Sequence, residues 1–109
     1  MTQQTVELTP GAILGTLAQH REELRAFGVR TLGLFGSFRR GGAHAESDID
    51  FLVTLDHPTL RGYMAVKQLL QELFGHPVDL VMEDAIKPRM RAGIMAEVIY
   101  AEGLSPLPG

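Results

Sequence analysis

Apolar residues recur along the first third of the chain at helical spacing. After Thr9-Pro10, read as an N-cap followed by a first-turn proline, Ile13, Leu14, Leu17, Leu24 and Phe27 predict one helix running to Gly28. The pattern then changes. Val29 to Phe35 is a short, partly β-branched apolar run that stops at Gly36-Ser37, which predicts a strand. Residues 37–47 hold about one helical turn before Gly41-Gly42 and a polar stretch interrupt it. Asp48 to Leu55 is apolar after its two aspartates, as expected of a strand covered on both faces, and it ends near Asp56-His57-Pro58. Tyr63, Val66, Leu69, Leu70, Leu73 and Phe74 mark a second full helix closed by Gly75. Pro77 to Met82 reads as a third strand, and a last helix is expected from Pro88 to Gly103 with Met90, Ile94, Met95, Val98 and Ile99 on its apolar side. Residues 1–8 and 104–109 are expected to be loose tails.

The order helix, strand, short connection, strand, helix, strand, helix, without repeat or linker, predicts a single domain over 1–109 of the α+β class, a two-layer arrangement of helices on a small mixed sheet. The connection between the first two strands is too short for a parallel crossover, so they are expected to pair antiparallel, with Gly36-Ser37 beside Asp48. The full helix before the third strand permits a parallel crossover. That brings Asp79 to the edge that carries Asp48 and Asp50.

This placement gives the aspartates chemical meaning. Residues two apart on a strand share a face, so Asp48 and Asp50 project together while Ile49 faces the opposite, buried side. Close carboxylates repel, and a hard divalent cation relieves the repulsion, Mg²⁺ or Mn²⁺ in its place. With Asp79 the set suits two ions about 3.5–4 Å apart, an arrangement used in phosphoryl and nucleotidyl transfer. Gly36-Ser37 adds the complementary part: N–H groups at a tight turn cradle phosphate, Ser37 offers a hydroxyl, and Arg39 and Arg40 carry forked donors suited to triphosphate oxygens.

Composition narrows the alternatives. At 109 residues, one compact domain leaves no length for a lobe that would enclose a second substrate. A net charge of −3 without a long basic run argues against duplex DNA binding. No cysteine is present and the four histidines, 20, 44, 57 and 76, are scattered, so neither a zinc site nor a thiol enzyme is supported. No apolar run approaches the roughly 20 residues of a membrane helix and no signal peptide opens the chain, so no membrane association and a cytoplasmic location are expected. Hydrophobic residues make up 45% of the chain, and that surplus predicts a homo- or hetero-oligomer.

Gly36-Ser37-Phe38-Arg39-Arg40-Gly41 followed by Ser47-Asp48-Ile49-Asp50-Phe51-Leu52-Val53 resembles the signature of the polymerase-β nucleotidyltransferase superfamily. The resemblance spans residues 10–101 and is nearest to the minimal nucleotidyltransferases (MNT), small prokaryotic proteins paired with HEPN-domain partners as antitoxins. It implies a polymerase-β-like fold. It makes Gly36 and Ser37 the triphosphate-binding pair, Asp48 and Asp50 the ligands of two catalytic Mg²⁺ ions, and Asp79 the third acid, which binds one metal and helps deprotonate the acceptor hydroxyl. The family commonly reads Gly-Ser-x-Ala-Arg-Gly, so Arg40 and Gly41 match while Arg39 replaces a small residue; Arg39 either adds a phosphate contact or lies in solvent. The function implied is transfer of AMP from ATP to a hydroxyl, a tyrosine, of a HEPN-type ribonuclease toxin. Two alternatives stand beside it: an antitoxin that neutralises by binding alone, and a small-molecule nucleotidyltransferase.

Other residues take blander readings. Asp79 alone is compatible with a surface aspartate on an edge strand, and Ser47 is a turn residue without a histidine to activate it. His44 and Glu46 read as solvated, His76 as structural, and Tyr63 and Tyr100 as helical core positions. Glu83 lies too far along its strand to be the third acid, and Arg89 and Arg91 form a solvated or partner-facing edge.

Overall fold

The computed structural model describes residues 8–42 and 46–106. Thr9 caps helix α1 (Pro10–Gln19), its Oγ1 accepting from the Ala12 N–H at 3.1 Å. The single helix expected up to Gly28 is instead two, because His20, with ψ near 17°, separates α1 from α2 (Arg21–Ala26). Arg21 donates to the freed Ala18 carbonyl at 2.8 Å, which satisfies part of the α1 terminus. Leu17 and Leu24 stay fully buried on one side of the break, which is why hydrophobic spacing does not reveal it. Phe27, expected on the apolar stripe, is 42% exposed.

Strand β1 (Val29–Phe35) has the bounds its apolar run predicts and passes directly into the short helix α3 (Gly36–Arg40). Strand β2 (Ile49–Leu55) leads to helix α4 (Leu60–Phe74), which Gly75 closes in the left-handed region at φ +58. Strand β3 (Val78–Met82), a turn of 3₁₀ helix and helix α5 (Pro88–Glu97) follow. The last helix is shorter than expected. Val98 turns extended (φ −65, ψ 138) and Ile99–Tyr100 forms a fourth strand, β4, paired antiparallel with Gly33 and Leu34 of β1. Gly33 permits this: a Cβ there would lie 2.7 Å from Val98 Cγ2 and 3.0 Å from the Ile99 carbonyl.

The sheet is mixed, ordered β3-β2-β1-β4, with β1 and β2 antiparallel and β2 and β3 parallel across α4, the topology the connection lengths predict. One face packs against helices: Leu34, Phe51 and Leu80 join Ile13, Leu17 and Leu70 in one core. The alternation of β2 sets Asp50, Leu52 and Thr54 on the other face. Among the described residues no helix is long and apolar enough to cross a membrane.

The C-terminal segment expected to be loose is anchored at its start. Leu104 is fully buried, its carbonyl accepts from the Leu32 N–H at 2.9 Å, and the Arg25 guanidinium donates to the Gly103 carbonyl. Residues 1–7 and 107–109 lie outside the described residues. Leu104→Ala is therefore expected to cost about 2–5 kcal/mol in urea denaturation, as a buried leucine truncation does. A change within about 0.5 kcal/mol, typical of an exposed position, would restore the loose tail.

Candidate active site

The site is assembled where β1 ends against the start of β2. In the antiparallel register Phe35 opposes Asp50, and in the parallel register Asp50 lies beside Asp79. Both acids therefore share a sheet face, with Asp48 two residues before Asp50 at the mouth of the strand. Ile49 is fully buried on the opposite face, as the two-residue period requires.

Asp50 carries the most perturbed charge. Burial pushes its pKa up to about 6, the Asp79 carboxylate adds repulsion and a shared hydrogen bond, Asp48 adds further repulsion, and Arg40 offsets a part. Asp50 thus holds its proton more readily than an isolated carboxylate would. Among the described residues no three His, Cys, Asp or Glu side chains are gathered into a preformed cage for one ion. The donor set still fits a hard divalent cation: Asp50 and Asp79 supply neighbouring carboxylate oxygens, Asp48 stands close enough to be felt electrostatically, and a cation would supply the positive charge that Asp50 lacks.

Gly36 explains why the turn sits where it does. Its φ is +81, and a Cβ added there would overlap the Asp50 carboxylate. Its lack of a side chain therefore serves the acid directly, a closer reason than the phosphate approach inferred from the sequence. The Gly36 N–H donates to Glu97 Oε2 at 2.8 Å. Ser37, half-buried, follows on the first turn of α3, and its hydroxyl has no protein partner among the described residues. Arg40 Nη1 donates to both Glu97 oxygens, at 2.8 and 3.1 Å, and Arg39 Nε donates to the Glu97 carbonyl at 2.8 Å. The two arginines read from the sequence as triphosphate contacts are thus engaged by one glutamate. Sequence reasoning missed Glu97, since nothing in Ile94-Met95-Ala96-Glu97-Val98 marks it and Gly36 is 61 residues away.

The remaining candidates fall into supporting places. Phe38, buried in the core cluster, meets the His76 ring edge-on at 5.4 Å, and His76 Nε2 bonds the Ser47 carbonyl at 2.6 Å. His76 is structural, as expected, and it joins the turn before β3 to the entry of β2. Tyr63 donates to the Leu80 carbonyl at 2.6 Å, tying α4 to β3. Glu83 pairs with Arg91 at 2.8 Å, Glu46 and Arg89 are exposed, and Tyr100 lies on β4 rather than in a helix, its hydroxyl buried without a partner among the described residues. His44 lies outside the described residues. A concavity of about 800 Å³ is lined by Arg30, Thr31, Thr54, Asp56, Met95 and Tyr100, among others. Thr54 is four residues beyond Asp50 on β2, about 13 Å along the strand, so that concavity does not enclose the acids.

A turn closed by glycine against a paired acid, with a second strand acid in register, is the architecture of a nucleotidyl-transferring enzyme. The sequence profile of the nucleotidyltransferase domain matches residues 17–101, and the chain belongs to that family. It is 40% identical to the protein adenylyltransferase MntA of Thermococcus cleftensis over 95 residues, covering 85% of this chain and 96% of that protein. A solved minimal nucleotidyltransferase, 36% identical, superposes with a TM-score of 0.64 over 79% of this chain and 93% of its own. The MNT antitoxin in a complex with the tri-AMPylated HEPN toxin of Shewanella oneidensis shares the fold at 17% identity, with a TM-score of 0.58 over 81% of this chain and 71% of that structure's chain.

Two outcomes follow. The raised pKa of Asp50 means that its contribution to stability is fully present below the ordinary value of 3.8 and is lost as pH rises through about 6. In metal-free buffer, Asp50→Asn is expected to melt higher than the parent chain at pH 7 and together with it below about pH 4; equal melting at both pH values would contradict the crowding of Asp50. Gly36→Ala is expected to lose about 1–3 kcal/mol in urea denaturation from the left-handed backbone alone, with more from the displaced carboxylate.

Proposed function

We propose that this nucleotidyltransferase moves AMP from ATP to a hydroxyl, a tyrosine, of a cognate HEPN-type ribonuclease toxin and thereby silences it. The carrying observation is the Asp50–Asp79 pair held beside the Gly36-Ser37 turn. Asp48, Asp50 and Asp79 would hold two Mg²⁺ ions, or Mn²⁺, which supply charge neutralisation at the transferring phosphate and a lowered pKa at the attacking hydroxyl. Gly36 and Ser37 would receive the outer phosphates. Asp79, the more exposed of the paired acids, would take the acceptor proton. The adenylyltransferase activity that names the Thermococcus cleftensis relative and the AMPylated toxin of the Shewanella oneidensis complex support this donor and this kind of acceptor.

The relatives favour a macromolecular acceptor, since the Thermococcus cleftensis enzyme is named for transferring the adenylyl group to protein. Exposed Leu60, Met64 and Met90, at 77%, 52% and 50%, offer apolar contact area for such a partner, and they keep alive a second reading in which contact alone neutralises it.

Incubation with labelled ATP, Mg²⁺ and the product of the adjacent reading frame is expected to label the partner. Asp50→Asn should reduce labelling by at least about a hundredfold, because the metal's several kcal/mol of transition-state stabilisation leaves with it. An unlabelled partner, or labelling indifferent to Asp50→Asn, defeats the proposal. Neutralisation that survives Asp48→Asn combined with Asp50→Asn would favour the binding reading.

A further inference from the structure

The turn that carries Gly36 is also held from α5. Glu97 ends α5, and it reaches three residues of that turn at once. Its carboxylate accepts the Gly36 N–H at 2.8 Å and Arg40 Nη1 at 2.8 and 3.1 Å, while its main-chain carbonyl accepts Arg39 Nε at 2.8 Å. Burial works against the charge of this carboxylate, yet the Gly36 N–H and the Arg40 and Arg39 cations outweigh it and hold the pKa below the ordinary glutamate value. Glu97 is therefore ionised at neutral pH, and its bonds to the turn are charge-assisted.

A carboxylate in this position has two conceivable roles. It either holds the turn in shape, or it occupies ground that an incoming phosphate must take from it. Three observations favour the first. The main chain of Glu97 is engaged as well as its side chain, so its backbone is fixed beside the turn and keeps the carboxylate within reach of Gly36. The segment that follows is fixed, because Val98 packs against Gly33 and β4 is paired to β1. Gly36 is also confined by the Asp50 carboxylate, which fills the space where its Cβ would be.

We propose that Glu97 is a positioning residue of the nucleotide site: it tethers Gly36 in place beside Asp50 and keeps Arg39 and Arg40 in place, so the turn has its phosphate-receiving shape before nucleotide arrives. The inference rests on the reading above, in which Gly36-Ser37 receives the outer phosphates of a nucleoside triphosphate. Glu97 acts through the glycine and the two arginines it holds.

The test is calorimetric titration of the full chain, in Mg²⁺, with the non-hydrolysable triphosphate analogue AMP-PNP and separately with AMP, which lacks the outer phosphates. Glu97→Ala is expected to weaken AMP-PNP by about tenfold or more, the equivalent of one charge-assisted hydrogen bond, and to change AMP by less than about threefold. Glu97→Gln should recover most of the loss, since its amide oxygen still accepts the Gly36 N–H. Equal weakening of both nucleotides without rescue by Gln would reduce Glu97 to a general structural role and overturn the proposal. Tighter AMP-PNP binding by Glu97→Ala would overturn it in the other direction, by showing a displaced occupant. Should circular dichroism show Glu97→Ala unfolded, Glu97→Asp replaces it: its carboxylate keeps the charge but stops one methylene short, and unchanged AMP-PNP affinity in that variant refutes the role. Failure of the parent chain itself to bind AMP-PNP would remove the triphosphate reading, and this inference with it.

Discussion

The contact between Gly36 and the Asp50 carboxylate is the constraint around which the molecule is arranged. A helix must begin immediately after β1, at a residue whose backbone lies in the left-handed region and whose Cα touches an acid on the next strand. Only glycine meets both conditions. Once it does, the end of β1, the start of α3 and the start of β2 are fixed relative to one another, and the antiparallel register with Phe35 opposite Asp50 is what brings them there. The acid in turn feels a second acid across the parallel ladder. The fold accepts a crowded carboxylate at its most constrained point and supports that point from outside through Glu97, Arg39 and Arg40.

Support and chemistry are divided between two layers of side chains. On the sheet face that carries the acids, Asp50 is crowded by Asp79 and Asp48, and Arg40 offsets only a part of that repulsion. Groups behind them are mutually satisfied: Glu97 with the turn, His76 with Ser47 and Phe38, Tyr63 with Leu80. None of these partners is an acid of the pair, so the pair remains available to a cation while its frame is held by ordinary hydrogen bonds and packing. This matches what electrostatic catalysis asks of a protein, groups held in place before charge develops rather than after.

The parts of this arrangement legible in the sequence are those governed by local periodicity. The strand Val29–Phe35, the helix closed by Gly75 and the shared face of Asp48 and Asp50 follow from period two, period 3.6 and turn chemistry. Topology was legible too, because connection length alone separates an antiparallel from a parallel pairing. What escaped was decided by distant contacts. The break at His20 leaves the apolar spacing intact. Val98 and Ile99 fit a helical stripe equally well, and only the absence of a side chain at Gly33 turns them into a strand. The burial of Leu104 and the grip of Glu97 on the turn depend on residues about sixty or more positions away. Arg39 and Arg40 show the same limit: the sequence displayed two cations beside a phosphate-binding turn without showing the carboxylate that holds them.

The parallel ladder between β2 and β3 has one more consequence. Asp79 alternates along its strand with Val78 and Leu80, both buried. If β3 paired with β2 one residue out of step, Val78 and Leu80 would be delivered to the face that carries Asp50 and the Asp79 carboxylate would be driven into the hydrocarbon interior. The energetic penalty for a charge stranded there is far larger than anything the misaligned ladder could recover. The acids of the site therefore act as proofreaders of the fold: a chain that has aligned its strands wrongly cannot close its core, and one that has closed its core has already aligned them.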